Sequence, residues 1–143
     1  MNQDARMLSR LADEGFRITG PRRDVVDAVC RREEPFSAEE LYEELRAANS
    51  GVGRATVFRT LDLLVGMRLL DRVHRPDGSH CYVNGGPGHR HHLICSSCGT
   101  VVEFRDCNVA DLVDGLSTRT HFRIESHWLE LYGTCERCQV ETV

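Results

Sequence analysis

The sequence predicts an α+β chain in two parts: a helical first half ending in a β-hairpin, then a small α/β half clasped by metal. Three observations carry this. Apolar residues recur at helical spacing through residues 1–68, and the period switches to that of strands around Pro76-Asp77-Gly78-Ser79. Two CxxC pairs, Cys95-Ser96-Ser97-Cys98 and Cys135-Glu136-Arg137-Cys138, then stand 36 residues apart. At 143 residues the chain holds one ordinary domain or two small ones. Two small ones would each be marginal by core burial alone, which gives a metal staple a physical reason.

Met7, Leu8, Leu11 and Phe16 mark an amphipathic first helix ending near Gly15. Pro21, behind Thr19-Gly20, suits the first turn of a second helix carrying Val25, Val26, Val29 and Cys30. Ser37-Ala38-Glu39-Glu40 fits a capping box, with Leu41 and Leu45 continuing a third helix to the turn at Asn49-Ser50-Gly51. A fourth helix from about Arg54 to Met67 buries Val57, Leu61 and Leu64, and exposes Arg54, Thr56, Arg59 and Thr60. Strands Leu69–Arg75 and His80–Val83 flank the Pro-Asp-Gly-Ser turn, where Pro presets φ and Gly takes the strained position. That order is a winged helix-turn-helix. Its exposed hydroxyls and arginines suit phosphates and guanine edges, or form a solvated helix face.

Asn84-Gly85-Gly86-Pro87-Gly88 reads as a linker. Expected boundaries are therefore 1–84 for a winged-helix DNA-binding domain, 85–88 for a hinge, and 89–143 for a zinc-stapled domain. The last should contain His91–Cys95, Thr100–Phe104, a helix around Val109–Leu116 and a long strand Phe122–Tyr132.

Each CxxC delivers two thiolates to one side of a tight turn, and two such knuckles form the tetrahedral S₄ shell of Zn²⁺. Gly99 follows the first pair, where positive φ is often needed. Disulfides or idle core thiols are the alternative. No basic-apolar leader opens the chain, and no run approaches the ~20 apolar residues of a membrane helix. A cytoplasmic location with reduced thiols and no membrane partner is expected, which favours zinc. Cys30, Cys81 and Cys107 read as small hydrophobes or bystanders.

The net charge of −4 speaks weakly against nucleic acid, but 13 of the 18 basic residues fall before residue 76 and all are arginine. The seven histidines all lie at or beyond His74. In an extended chain His89 and His91 point one way while Arg90 and His92 point the other. If the first knuckle closes a hairpin, His92 pairs near Glu103, and His127 on the third strand could come near the same edge. Imidazoles with a carboxylate suit Zn²⁺, Fe²⁺, Mn²⁺ or Ni²⁺. His74, His80 and Cys81 on the wing are weaker ligand candidates.

Together these residues resemble the ferric uptake regulator family of metal-responsive bacterial transcription factors. Arg17-Ile-Thr-Gly-Pro-Arg-Arg23, Ala55-Thr-Val-Phe-Arg-Thr-Leu61 (Phe58 where Tyr is usual), His91-His-Leu-Ile-Cys-Ser-Ser-Cys-Gly99, Val102-Glu-Phe104 and Glu130-Leu-Tyr-Gly-Thr-Cys-Glu-Arg-Cys138 carry the likeness. It implies a homodimer that binds a palindromic double-stranded DNA operator when loaded with a regulatory divalent metal. It implies a structural zinc on Cys95, Cys98, Cys135 and Cys138. His89, His91 and His127 match a second metal site of the family, His92 and Glu103 its sensing site, and Arg22, Thr56 and Arg59 positions near DNA. Arg54 is a further DNA candidate on the same helix.

Several positions depart from the family pattern. Pro35 and Val83 stand where ligands are frequent, Arg90 replaces a common histidine, and Ala110 stands where a carboxylate is usual, with Asp111 adjacent. Asp71 matches a ligand of zinc-sensing members, whose cysteine would fall at Gly85. The expected function is a metal-responsive regulator, most simply a repressor, of metal homeostasis genes. A constitutive zinc-stapled DNA-binding regulator is the alternative, and a metal-dependent hydrolase the remote one, since no nucleophile motif accompanies the donors.

Overall fold

The computed structural model describes residues 2–84, 89–105 and 107–140, and the chain divides into two compact units, Met1–Gly86 and Pro87–Val143. The hinge expected at Gly85–Gly88 lies outside the described residues.

The first unit runs α1 (Gln3–Asp13), α2 (Gly20–Cys30), α3 (Ala38–Ala47), α4 (Arg54–Gly66), β1 (Asp71–His74) and β2 (His80–Val83). Each of the first three helices starts on a side chain that satisfies an orphan amide. Asn2 accepts from the Ala5 amide, Thr19 from that of Arg22 at 3.2 Å, and Ser37 from that of Glu40 at 3.1 Å. The reciprocal half of the capping box gives way to charge: one Glu40 carboxylate oxygen turns toward Arg32 Nη1 at 3.8 Å. Helix α4 begins on Gly53 with no side-chain cap.

The helices bury one continuous core, including Leu11, Val25, Val29, Phe36, Leu41, Val57, Leu61, Leu64 and Tyr82. Thr60, expected on the exposed face, is buried instead. It directly precedes Leu61, and the core-facing stripe of α4 is wide enough to take both. Phe16, expected in the stripe of α1, lies beyond that helix and is 39% exposed. The wing closes as its turn chemistry requires, with Gly78 at φ 90 and Asp77 accepting from the Ser79 amide at 2.9 Å. Its first strand is shorter than expected, because the Leu69 amide bonds back to the Leu64 carbonyl at the exit from α4 and Leu70 packs into the core. Phe36 adds a bridge to Tyr82, exchanging both backbone hydrogen bonds at 3.0 and 2.7 Å, with rings stacked 5.8 Å apart.

The second unit runs β3 (His91–Cys95), β4 (Val101–Phe104), α5 (Ala110–Thr120), β5 (Glu130–Gly133) and α6 (Glu136–Val140). The sheet order is β4-β3-β5, with β4 antiparallel and β5 parallel to the central strand. Gly99 adopts φ 80 in the knuckle, and its amide donates to the Cys95 carbonyl at 2.9 Å. The long strand expected over Phe122–Tyr132 is reduced to Glu130–Gly133, because β3 offers only His92–Cys95 for it to pair with. Helix α5 buries none of its residues, and Leu112 is 59% exposed.

Candidate metal centres and nucleic-acid face

The two knuckles meet at the end of the three-stranded sheet. Strand β3 delivers Cys95, the Gly99 turn delivers Cys98, and Cys135 and Cys138 come from the start of α6. All four sulfurs lie within 4.8 Å of one another, with Cys98 and Cys135 at 3.8 Å. A tetrahedron with Zn–S bonds of about 2.3 Å has S···S edges of about 3.8 Å, so the spacing fits zinc. A disulfide would need sulfurs about 2.05 Å apart.

The protonation of the set makes the same point. Amides of Cys135 and Cys98 donate to Cys95 Sγ at 3.4 and 3.5 Å and pull its thiol down to about 6. The Thr100 hydroxyl lowers Cys98. Cys138, hydrogen-bonded to Cys135 and desolvated, is pushed up to about 12. Four packed thiols cannot all ionise alone; a divalent cation is what allows it. Arg137, hydrogen-bonded to Cys98 and facing Cys135 and Cys138, offsets the excess negative charge of a zinc tetrathiolate.

A second donor set forms at the other end of β3. His89, His91, His127 and Cys107 place one donor each within 4.8 Å of one another. His89 Nε2 lies 3.0 Å from His127 Nε2, which lies 3.3 Å from Cys107 Sγ. A tetrahedral centre with Zn–N bonds of about 2.0–2.1 Å has N···N edges of about 3.3 Å, so these spacings again fit a four-coordinate metal. His91 is buried, and its Nε2 finds no hydrogen-bond partner while the ring bonds the Leu129 backbone. An imidazole anchored to a carbonyl through one nitrogen, with the other left over, is the usual arrangement of a metal-ligating histidine. Burial, then His89 and His127, hold its pKa below the ordinary 6.5, which keeps the ring neutral and able to ligate.

Cys107, read from sequence as a bystander, thus stands where a fourth ligand belongs. The linear spacing gave no sign of it, because its contact with His127 is 20 positions away in the chain. His127 also sits outside a strand, three residues ahead of β5. Asp111, in the first turn of α5, is exposed and joins none of the donor clusters among the described residues.

His92 faces the opposite side of β3 and pairs in register with Glu103. The Glu103 carboxylate is bracketed by Arg90 Nε and Arg105 Nη2, each at 3.6 Å. Two guanidiniums oppose a dication at that carboxylate. On the wing, His74 and His80 are exposed register partners with rings 6.3 Å apart. Cys81 is fully buried opposite Val73, a small hydrophobe in its own strand, and Asp71 opens β1 opposite Val83.

In the first unit, Arg17, Thr19, Pro21, Arg22, Thr56, Arg59 and Thr60 line a cleft of about 480 Å³ between the starts of α2 and α4. Three arginines and three threonines surround the starts of α2 and α4, neither of which has an acidic residue in its first turn, and together they suit an anion. Arg22 is held in place by donating from Nη1 to the Arg17 carbonyl at 2.7 Å. Arg17 is a member that sequence reasoning left among family motif residues. Arg54 is turned elsewhere: it forms a two-pronged ion pair with Glu39 and stacks over Tyr42 and Phe58.

Fold and donor sets define a class, a winged helix-turn-helix joined to a small α/β unit with sites for metal. The sequence matches the model of the ferric uptake regulator family over residues 13–132. It is 33% identical over 135 residues to the ferric uptake regulation protein of Neisseria meningitidis serogroup A, covering 94% of each chain. It is 34% identical over 125 residues to the zinc uptake regulation protein of Mycobacterium tuberculosis, covering 87% of this chain and 96% of that one. Among solved structures it resembles a zinc uptake regulator complexed with zinc and DNA, with TM-score 0.73 and 27% identity over 98% of this chain and 95% of the other. The chain belongs to the ferric uptake regulator family.

Proposed function

We propose that this chain is a metal-responsive, sequence-specific DNA-binding transcriptional regulator, most simply a repressor, of metal homeostasis genes. It acts in the cytoplasm as a homodimer on double-stranded operator DNA, and it is a regulator rather than an enzyme. The observation that carries the metal response is the second donor set. A structural clasp alone needs only Cys95, Cys98, Cys135 and Cys138, yet three histidines and Cys107 converge separately with their donors within 4.8 Å, and one of the histidines has a buried, unpartnered nitrogen.

The clasp takes Zn²⁺, and its worth is structural. The second centre takes the regulatory divalent metal, of which Zn²⁺, Fe²⁺, Mn²⁺ and Ni²⁺ are the classes to test. For such a metal to raise DNA affinity it must bind the DNA-competent state more tightly, and DNA must then raise metal affinity by the same factor. On the DNA side, Arg22, Thr56 and Arg59, with Arg17, contact phosphates and base edges. Arg54 supports α4 through Glu39. Dimerisation has a physical basis in α5. An 11-residue helix that buries nothing in its own protomer is not stable by itself, so a second copy supplies the cover for Leu112 and Leu116.

A second reading is favoured by one observation. Arg90 and Arg105 engage Glu103, so the His92/Glu103 pair serves as a fixed ion-paired strut rather than a sensor. His74, His80, Cys81 and Asp111, which join no donor group among the described residues, carry no metal in this reading. Were the second donor set also silent, the chain would be a constitutive zinc-stapled regulator. Titrating each metal into chelator-treated dimer while following operator binding separates the two, and no metal dependence beyond the clasp zinc leaves only the constitutive reading.

A further inference from the structure

We infer that Cys107 is a direct metal ligand of the second centre, completing an N₃S tetrahedron with His89, His91 and His127 that favours zinc over harder cations. The inference rests on the reading of those histidines as a metal site. Cys107 Sγ lies 3.3 Å from His127 Nε2, which lies 3.0 Å from His89 Nε2, and all four donors fall within 4.8 Å. The sulfur is half-buried and lies within 4.8 Å of a donor of His91, whose buried Nε2 has no hydrogen-bond partner. Ala110 opens α5 without a donor atom, and Asp111 lies outside the cluster, so the carboxylate-bearing alternative on that helix start is missing here.

The chemical consequence follows from donor softness. Carboxylate and water ligands suit Mn²⁺ and Mg²⁺, whereas a thiolate with imidazoles in tetrahedral array suits Zn²⁺. Replacing a carboxylate-type fourth ligand by thiolate therefore shifts the site toward zinc. It also makes ligation release one thiol proton, so apparent zinc affinity falls with acidification.

The test uses the full dimer with zinc retained on the four-cysteine clasp, verified as one zinc per chain after mild chelation. Co²⁺ is then titrated into wild type and the Cys107→Ser, Cys107→His and His127→Ala variants. Wild type should show tetrahedral d–d absorption together with a sulfur-to-cobalt charge-transfer band. Cys107→Ser should lose the charge-transfer band, and Cys107→His should keep tetrahedral absorption without it. Competition should show Zn²⁺ affinity of Cys107→Ser lowered at least about tenfold, the scale reached when even an outer-layer partner is lost. The Zn²⁺/Mn²⁺ affinity ratio should narrow by a similar factor in Cys107→Asp. If wild type takes up no Co²⁺ beyond the clasp, or His127→Ala binds it unchanged, the histidine site itself falls and the inference with it. If binding requires His127 but the spectra of wild type and Cys107→Ser coincide, the centre stands and Cys107 is not a ligand.

Discussion

Replacing Cys138 by Ser should release zinc and unfold the second unit while leaving the first intact. The magnitude follows from what each unit buries. Among the described residues of the second unit, Ile94 is the one buried aliphatic side chain, and the other buried hydrophobic residues, Cys95 and Cys138, belong to the clasp. A buried Ile contributes roughly 1.5–3 kcal/mol. A structural zinc site is worth about 10–16 kcal/mol in small metal-folded domains. Whole domains are stable by only about 5–15 kcal/mol, so loss of the zinc exceeds what the sheet can supply. The first unit has its own core from Leu11 to Tyr82 and needs no metal. Amide exchange by mass spectrometry, with zinc counted per chain, is the assay. Peptides spanning β3, β4 and β5 should lose protection in Cys138→Ser, and those spanning α2 and α4 should keep it. Wild-type protection across β3–β5 in a variant with no zinc would refute the reasoning.

Three other outcomes follow from the same structure. Arg59→Ala should weaken operator binding by about 1–3 kcal/mol if it reads a base, or reduce the salt slope by about 1 if it holds a phosphate; fluorescence anisotropy across a salt series distinguishes these, and unchanged affinity excludes both. Leu112→Glu with Leu116→Glu should shift the chain from dimer to monomer in sedimentation velocity, with α2 and α4 still protected; an intact dimer would show that α5 is covered by something else. His91 titrates in the folded state below its unfolded 6.5, because burial and then His89, His127 and His92 oppose its charge. The unfolded state therefore binds the proton first. The stability of the second unit should be full above pH 6.5 and fall as pH drops through the lower folded value. His91→Gln should remove that component from denaturation curves taken between pH 7 and 5.

Much of the fold was legible because its signals are local. The Pro76–Ser79 turn, Pro21 in the first turn of α2, the Ser37 cap and Gly99 each act within four residues, so their geometry is written in the adjacent sequence. The His92–Glu103 pairing was legible because the knuckle fixes the hairpin register. Non-local features were not. Cys107 joins His127 across 20 positions of chain that include the whole of α5, so nothing in its neighbourhood separates a ligand from a bystander. Thr60 reads as polar and exposed by type, yet packing beside Leu61 buries it. The long strand read over Phe122–Tyr132 needs a hydrogen-bonding partner along its length, and β3 is only five residues long. Arg54 shows the same limit for charge: its place on α4 suggested DNA, while Glu39 on α3 engages it.

The central claim is that a metal at His89, His91, His127 and Cys107 controls DNA binding, separately from the clasp. The direct measurement is operator affinity of the clasp-zinc dimer, with and without one further equivalent of Zn²⁺ per chain, for wild type and His127→Ala. The probe is a palindromic duplex selected by the zinc-loaded protein from a random pool. Wild type should gain about 5- to 150-fold in affinity, the usual span of coupling between two sites, and His127→Ala should gain nothing. Equal affinity with and without the added zinc in wild type, or an equal gain in both proteins, would contradict the account.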